Sequence, residues 1–535
     1  MTATLRKRSC QFVSISAILI LLGYLGPFIV QLPSAVTQLG PLFRSSELLT
    51  VILRSISLAF ASTIMAVLAG FGGALLLRNV TAVESSGKVL GLLLLPAFLG
   101  NASAAFTWKL ILGQTSFFGL VVESGSPGMF ALLTLIQLWQ FGSLFLYLFW
   151  LNLQSIPTSL RDYAETVGIS SVQWIRDIAL PHSRNLFILL TLLGFSWMLY
   201  EDAKNQLIFK ASAGTGTELI AHWIYRNYHS DLLVRGAYAV GEAFANGLTI
   251  IFFAAVTFVG AAFMISLVLR RLSRLRLPVA SQRPLGRNLT HAVLAYVLVG
   301  VILAPLIGAM LLLDLSLSSE TLSLWYPFLL TCVAATAALL VSGCFSIASR
   351  IAWPRDLAGW NRRSTLFSAS IFSLQFVPPL IVAICGFRWL RITGYGSDLG
   401  VTLVWVTGHV LISFGLLSGF FLNLHFAVKN REIDYLAIHQ TDALRIASTS
   451  FLKRFKLEYL LALLFAFSFV WNEAIINRIL SDKIPSFVTT LELMVSGRAS
   501  DYSRASGYFL ISILVAIAIV AIWTLVISPA KKERA

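Results

Sequence analysis

Apolar runs of twenty residues or more alternate with short polar and basic connectors along most of the chain. A helix needs about 20 apolar residues to cross a hydrocarbon core. Runs of that length fall at approximately 12–32, 47–77, 88–113, 128–153, 185–206 and 238–269, then at 289–315, 325–352, 366–391, 398–427, 458–480 and 505–529. The pattern predicts an all-α integral membrane protein with about twelve transmembrane helices in two sets of six. The runs are continuous, not stretches of about ten residues with alternating character, which excludes a closed barrel. Residues 1–31 resemble a signal peptide, but their apolar part is long enough to span. The later loops need it as a first crossing, so it reads as a signal anchor.

Composition agrees with lipid as the solvent. Hydrophobic residues make up 57% of the chain and charged residues 12%, where a soluble domain carries about 25% charged. The net charge of +16 is placed by topology. Basic residues gather at the termini and in alternate loops, among them Arg6-Lys7-Arg8, the Arg-rich stretch from Arg270 to Arg287, Arg362-Arg363 and Lys453-Arg454-Lys456. That alternation is the positive-inside pattern. It predicts a multi-pass membrane protein with both termini cytoplasmic and no nucleic-acid partner. Cys10, Cys332, Cys344 and Cys385 form no C-x-x-C pair, so they read as small core residues with no metal site.

The two sets of six look like copies of one unit. Asp162-Tyr163-Ala164 recurs as Asp434-Tyr435-Leu436, 272 residues later, and Ser196, Glu201 and Asn205 recur as Ser468, Glu473 and Asn477 at the same interval. Phe106, Trp108 and Gly113 parallel Phe387, Trp389 and Gly394 at 281, a shift that an indel between the third and fourth helices explains. An even number of helices per copy makes these parallel repeats. The expected division is a first repeat over 1–269, a basic linker over 270–288 and a second repeat over 289–535.

The loop after each fourth helix carries the informative motif. Over 156–183 the residues suit two short surface helices. Thr158 can start the first, Gly168 permits a sharp turn, and Ser170 or Ser171 can cap the second. Pro181 is expected to interrupt the backbone before the fifth crossing. The run Asp162-Tyr163-Ala164, then Gly168, then Leu180-Pro181 resembles the E-A-A, G, L-P loop of binding-protein-dependent ABC importer permeases of type I. The resemblance covers both halves, and the fused form is similar to permeases for ferric iron, thiamine and aminoethylphosphonate. It implies that Asp162, Tyr163, Ala164, Gly168, Leu180 and Pro181 dock on a cytoplasmic ABC ATPase, and that an extracytoplasmic substrate-binding protein delivers the solute. The second loop, 428–457, departs from the pattern. Asp434, Tyr435 and Leu452 remain, but Gln440 replaces glycine and Lys453 replaces proline, so its docking site is expected to be degenerate. No G-x-x-x-x-G-K-[ST] run occurs. The chain should therefore bind no cofactor, and ATP would belong to separate ATPase subunits, two by resemblance.

Ionisable groups in membrane helices usually face a cavity. Glu201 lies about 16 residues into the predicted fifth helix, roughly 24 Å along it. With Glu473 it would either set two carboxylates about the outer mouth, suiting a cationic or hydroxyl-rich solute, or simply reach outer water from a helix end. Gln137 and His409 are also 272 apart. They would either line the path or hydrogen-bond between helices. Leu219, Ile220, Trp223, Ile224 and Tyr225 lie at helical spacing in a long outer stretch, which by the resemblance would face a binding protein, or else would form an interfacial helix. An ion-gradient-driven transporter with twelve helices is the competing class, but it gives no reason for the glycine-and-proline loop.

Overall fold

The computed structural model describes residues 7–16, 18–19, 46–78, 89–113, 127–156, 158–199, 201, 203–209, 218–223, 289–313, 325–352, 382, 398–425, 451–453, 455–471, 473, 476, 491 and 502–530. Every regular element among them is helical. Among the described residues, six helices are long and apolar enough to cross a membrane, or eight if each of two bent pairs is one span. The expected spans at 238–269 and 366–391, and most of 12–32, lie outside the described residues.

The chain divides into two compact units that do not follow the order of the sequence. One unit contains α1 (Ser46–Leu76), α2 (Gly100–Gly113), α3 (Pro127–Gln137), α4 (Ser143–Gln154), α5 (Thr158–Thr166), α6 (Ser171–Trp174), α7 (Leu180–Leu199) and α8 (Ala203–Phe209). It also takes α9 (Leu289–Leu311) and α13 (Tyr502–Ala530) from the second half. Helix α1 packs on α4 and α7, while α9 packs on α2. Trp139 donates its indole N–H to the Ile302 carbonyl on α9 at 2.6 Å. The Ser103 hydroxyl meets Ser512 on α13 at 2.9 Å.

The other unit contains α10 (Trp325–Ala352), α11 (Asp398–His425) and α12 (Lys456–Trp471). All three pack against one another, so each unit is built on the second, fourth and fifth helices of one half. His425 at the end of α11 joins Ser346 on α10 and Tyr459 on α12, each at 2.9 Å. The helix over 7–16 also belongs here, with Cys10 Sγ 3.9 Å from the Ala352 carbonyl.

Small residues set how closely these helices approach. On α1 they are Ala59, Ser62, Ala66 and Ala74, all fully buried. Their counterparts 272 residues on, Thr331, Ala334, Ala338 and Ser346 of α10, are buried too. One inward seam therefore recurs in register in both units.

Three predicted spans are not straight rods. The run at 88–113 breaks by 97° between Leu90–Phe98 and Gly100–Leu112. Gly100 there adopts φ +77°, a backbone that residues with a Cβ rarely take. The break frees the Leu99 carbonyl, which accepts from the Ser512 hydroxyl at 3.2 Å, so the irregular backbone is satisfied inside protein. The run at 185–206 ends as α7 at Leu199 and restarts as α8 at Ala203. The run at 458–480 ends as α12 at Trp471. Hydropathy windows register apolar length and are blind to such breaks.

The cysteine expectation is also corrected. Cys344 and Cys10 are exposed and Cys332 is intermediate. An apolar span in lipid has no need to bury its small residues in protein. Cys385 lies outside the described residues.

Candidate functional site

The loop after α4 is a compact helix-turn-helix. Its first helix, α5, turns Leu160, Tyr163 and Val167 outward at 41, 59 and 57% exposure, while Ala164 is buried at 5%. These three apolar positions share one helical face. Asp162 lies on α5, between Leu160 and Tyr163 in the sequence. The helix ends on Gly168, with φ +68°. The Ile169 N–H reaches back to the Ala164 carbonyl at 3.0 Å, the closure expected of a helix ended by a left-handed glycine. A Cβ at Gly168 would meet nothing within 4 Å, so its backbone angle, and not space, is what calls for glycine.

Ser170 then starts α6 with a capping box. Its hydroxyl accepts from the Gln173 N–H at 3.2 Å, and the Gln173 side-chain carbonyl accepts from the Ser170 N–H at 3.0 Å. Of the two serines offered by the sequence, Ser170 is the cap. Pro181 does not interrupt the chain as expected. A π-helical turn over Ile175–Ala179 precedes it, with the Leu180 N–H donating to the Ile175 carbonyl. Pro181 follows in the first turn of α7, where a missing N–H costs least. The bend of 59° comes later, between Ser171–Arg184 and Leu186–Leu199.

The loop is strapped to the ends of two long helices. The Arg78 guanidinium lies 4.9 Å above the Trp174 ring and donates to Ser171 Oγ at 3.4 Å. Burial lowers the Arg78 pKa from its ordinary value, but an arginine stays charged throughout. Gln154 at the end of α4 donates to the Arg78 carbonyl at 3.1 Å. Asn152 donates to Ser183 at 2.9 Å. In the second loop, Asp434, Tyr435 and Gln440 lie outside the described residues, and Leu452 is exposed.

The acids after the fifth helix are placed differently from the sequence expectation. Glu201 sits beyond the end of α7, in the break before α8, and is 2% exposed. It is neither within the helix nor reaching open surface. Its Oε1 accepts from the Lys204 backbone N–H at 3.0 Å, and its Oε2 meets Lys204 Nζ at 2.7 Å. Nζ also donates to Asn101 Oδ1 at 3.1 Å and lies 5.2 Å from the Phe141 ring. Glu473 repeats the backbone half of this arrangement. Its Oε2 accepts from the Ile476 N–H at 2.9 Å. The Glu201 and Glu473 N–H groups each donate three residues back, to Met198 and Val470, both at 3.4 Å. All of these pairs are 272 residues apart. Glu473 meets His409 Nε2 at 3.6 Å, whereas the amide of Gln137, the counterpart of His409, is fully buried with no hydrogen-bond partner among the described residues. Each acid therefore caps the chain where it resumes after the fifth helix.

No family model and no curated protein matches this chain. Two solved structures are similar to it. One is a bacterial alginate ABC transporter in complex with an alginate pentasaccharide-bound periplasmic protein, at 18% identity, 51% coverage of this chain, 98% of that chain and a TM-score of 0.40. The other is a bacterial ABC transporter involved in the import of the acidic polysaccharide alginate, at 20% identity, 50% and 98% coverage and a TM-score of 0.39. Likeness at that level carries no functional argument.

Sequence reasoning missed Lys204, although its i,i+3 spacing from Glu201 was visible. It also missed Arg78, whose partner is 96 residues away and gives no local signal. Leu219, Ile220 and Trp223, read as an outer or interfacial face, are buried, while Ile224 and Tyr225 lie outside the described residues. Leu219 packs with Leu58, Met129 and Leu133, and the Ile220 N–H donates to Ser55 Oγ at 2.8 Å.

Proposed function

We propose that this chain is the transmembrane permease subunit of an ATP-driven ABC importer, supplying both halves of the path for a solute delivered by a binding protein. A separate ATPase docks on the loop over 156–183, and a second docks less completely on 428–457. The observation that carries this reading is the face formed by Leu160, Tyr163, Val167 and Val172. All four are exposed apolar side chains on helices of nine and four residues, too short to cross a bilayer. Exposed apolar surface on such an element marks a docking site. The Gly168 turn fixes the shape of that face, and the Arg78 strap joins it to α1.

The two copies are repeats of one fold, and alternating access arises as one moves against the other under ATPase closure. Glu201 gives no reason to favour a cationic solute, because Lys204 neutralises it. The membrane is the bacterial inner membrane, with both termini cytoplasmic.

The test is reconstitution with the ATPase and binding protein in liposomes. Gly168→Asp sets a charge into the docking face at a strained backbone. It should lower binding-protein-stimulated ATP hydrolysis at least tenfold while the permease keeps its size-exclusion profile. Asp162→Arg should do the same. Transport that persists without the ATPase and collapses with an ionophore would establish an ion-driven transporter instead.

A further inference from the structure

We propose that His425 is the positioning residue of the second half, tying the segment that returns from the surface loop over 428–457 to the ends of α10, α11 and α12. Its part in coupling rests on the importer reading; its grip on the segment does not. His425 is the last residue of α11 and is fully buried. Its Nδ1 lies 2.9 Å from Ser346 Oγ on α10, and its Nε2 lies 2.9 Å from Tyr459 Oη on α12. A neutral imidazole has one N–H and one bare acceptor, and a hydroxyl can donate or accept. Both ring nitrogens are therefore satisfied, and the ring is held from two helices at once.

The held ring serves as a platform. Phe451 stands against it in a T-shaped contact with centroids 4.9 Å apart, and Phe455 lies 5.8 Å away. Both phenylalanines are buried, at 0 and 8% exposure. The Phe455 N–H donates to the Phe451 carbonyl, and the Tyr459 N–H to the Phe455 carbonyl, both at 2.9 Å. Phe451, Phe455 and Tyr459 thus follow one another at helical spacing along one face, and all three meet His425. Leu452, between the two phenylalanines, is exposed.

The first half holds the corresponding segment by other means. Counted back 272 residues, Phe451, Phe455 and Tyr459 become Ala179, Ser183 and Phe187. There Asn152, at the end of α4, donates to Ser183 at 2.9 Å. The second half has Leu424 and Phe455 at those two positions, and neither side chain can make that bond. The triad in turn has no member in the first half, where Ala74, Leu153 and Phe187 stand for Ser346, His425 and Tyr459. Space changes in step. Phe71 packs on Phe187 with centroids 4.6 Å apart. Its counterpart is Gly343, where an added Cβ would lie 3.1 Å from the Tyr459 ring. A side chain at 343 would crowd the ring whose hydroxyl reaches His425. These exchanges belong together: a direct hydrogen bond from the fourth helix to the returning segment is replaced by one buried imidazole and the aromatic rings around it.

In the importer reading, force from an ATPase enters through the surface loop and passes into the fifth helix. His425 is the point at which that route grips the second and fourth helices. It gives the second half a firm joint although Gln440 and Lys453 stand in place of the glycine and proline of the first loop.

The experiment follows amide deuterium exchange of the full chain in detergent, with no ATPase present. His425→Leu installs the first half's residue. The Phe455 and Tyr459 amides should then exchange roughly five- to tenfold faster, about the effect of one lost hydrogen bond, while amides in the middle of α10 and α11 keep their protection. Ser346→Ala with Tyr459→Phe keeps the ring and removes both of its partners. It should act in the same way, and it decides the question should His425→Leu fail to fold. Adding Leu424→Asn and Phe455→Ser to His425→Leu transplants the first half's bond and should restore protection at 455 and 459. Unchanged exchange at these two positions would overturn the proposal. So would faster exchange spread evenly over all three helices, which would make His425 a general core residue. A second arm adds the ATPase and binding protein in liposomes, where His425→Leu should lower stimulated ATP hydrolysis several-fold. Faster local exchange with unchanged hydrolysis would overturn the coupling role. A wild type with no stimulated hydrolysis would refute the importer reading and leave the exchange result to decide the grip on its own.

Discussion

Lys204 is buried at 0% exposure, and its contacts are those of a compensated ammonium. Glu201 lies 2.7 Å away, Asn101 accepts a second hydrogen bond, and the face of Phe141 lies 5.2 Å from the ammonium. Removing the amine while keeping the carboxylate should be costly. Lys204→Met leaves Glu201 buried and uncompensated, a loss of about 3–5 kcal/mol. The unfolding temperature in detergent should fall clearly, and Glu201→Gln added to Lys204→Met should recover most of the loss, because the double variant buries no charge. A single variant as stable as the wild type would mean that water reaches the site. At this scale the sequence was legible where one residue has one physical meaning. Gly168 was readable because few other residues accept φ +68°, and Ser170 because a hydroxyl before a helix has an obvious acceptor role. Glu201 was only half legible. Its presence was plain, but its isolation was inferred from a span that in fact stops at Leu199. Once the helix breaks, the following turn brings Lys204 back to it.

The elements that matter most are those that join a surface helix to a spanning one. Helix α6 is four residues long and has little stability of its own. Its position depends on the capping box and on Arg78 stacked over Trp174. A partly buried cation–π contact contributes roughly 0.5–2 kcal/mol, small beside the stability of the whole protein but large for one turn of helix. Arg78→Ala should therefore leave the global unfolding temperature within a degree or two while backbone amides around 170–175 exchange with deuterium several-fold faster. Under the importer reading it should also lower the ATPase response, because the docked loop would no longer pull on α1. Arg78→Lys should retain part of the protection, as it keeps the cation but loses the planar stacking. Unchanged exchange in Arg78→Ala would show that the loop is held by α5 and the Asn152–Ser183 bond alone. Element existence was largely legible from hydropathy, whereas the bends were not. The 97° turn at Gly100 depends on a freed carbonyl finding Ser512 more than 400 residues away, and no local window contains that information.

Across the whole molecule, positions 272 residues apart keep their backbone roles while their side-chain chemistry differs, as the proposed duplication would have it. The buried seam of α1 recurs on α10, and the caps made by Glu201 and Glu473 recur at the same spacing. Against that constancy, Ile476 stands in the place of Lys204, and Gln440 in the place of Gly168 in the second surface loop. The first loop turns on a left-handed glycine. For a residue with a Cβ that conformation costs roughly 1–2 kcal/mol, so the second loop must turn differently or hold strain. Under the importer reading, a docking face over 428–457 is then expected to differ from that of the first loop, and the two ATPase contacts to be unequal. The direct comparison places the same aspartate in each copy. Gly168→Asp should reduce stimulated ATP hydrolysis by an order of magnitude or more, while Gln440→Asp should reduce it by less than threefold, with both proteins equally abundant in the membrane. Gly168 is expected to be sensitive because it combines a required backbone with an ordered docking surface, and Gln440 has no glycine-dependent turn to lose. Equal damage from the two substitutions would mean that the second loop docks as fully as the first by another geometry, and that its lost glycine was compensated elsewhere in 428–457.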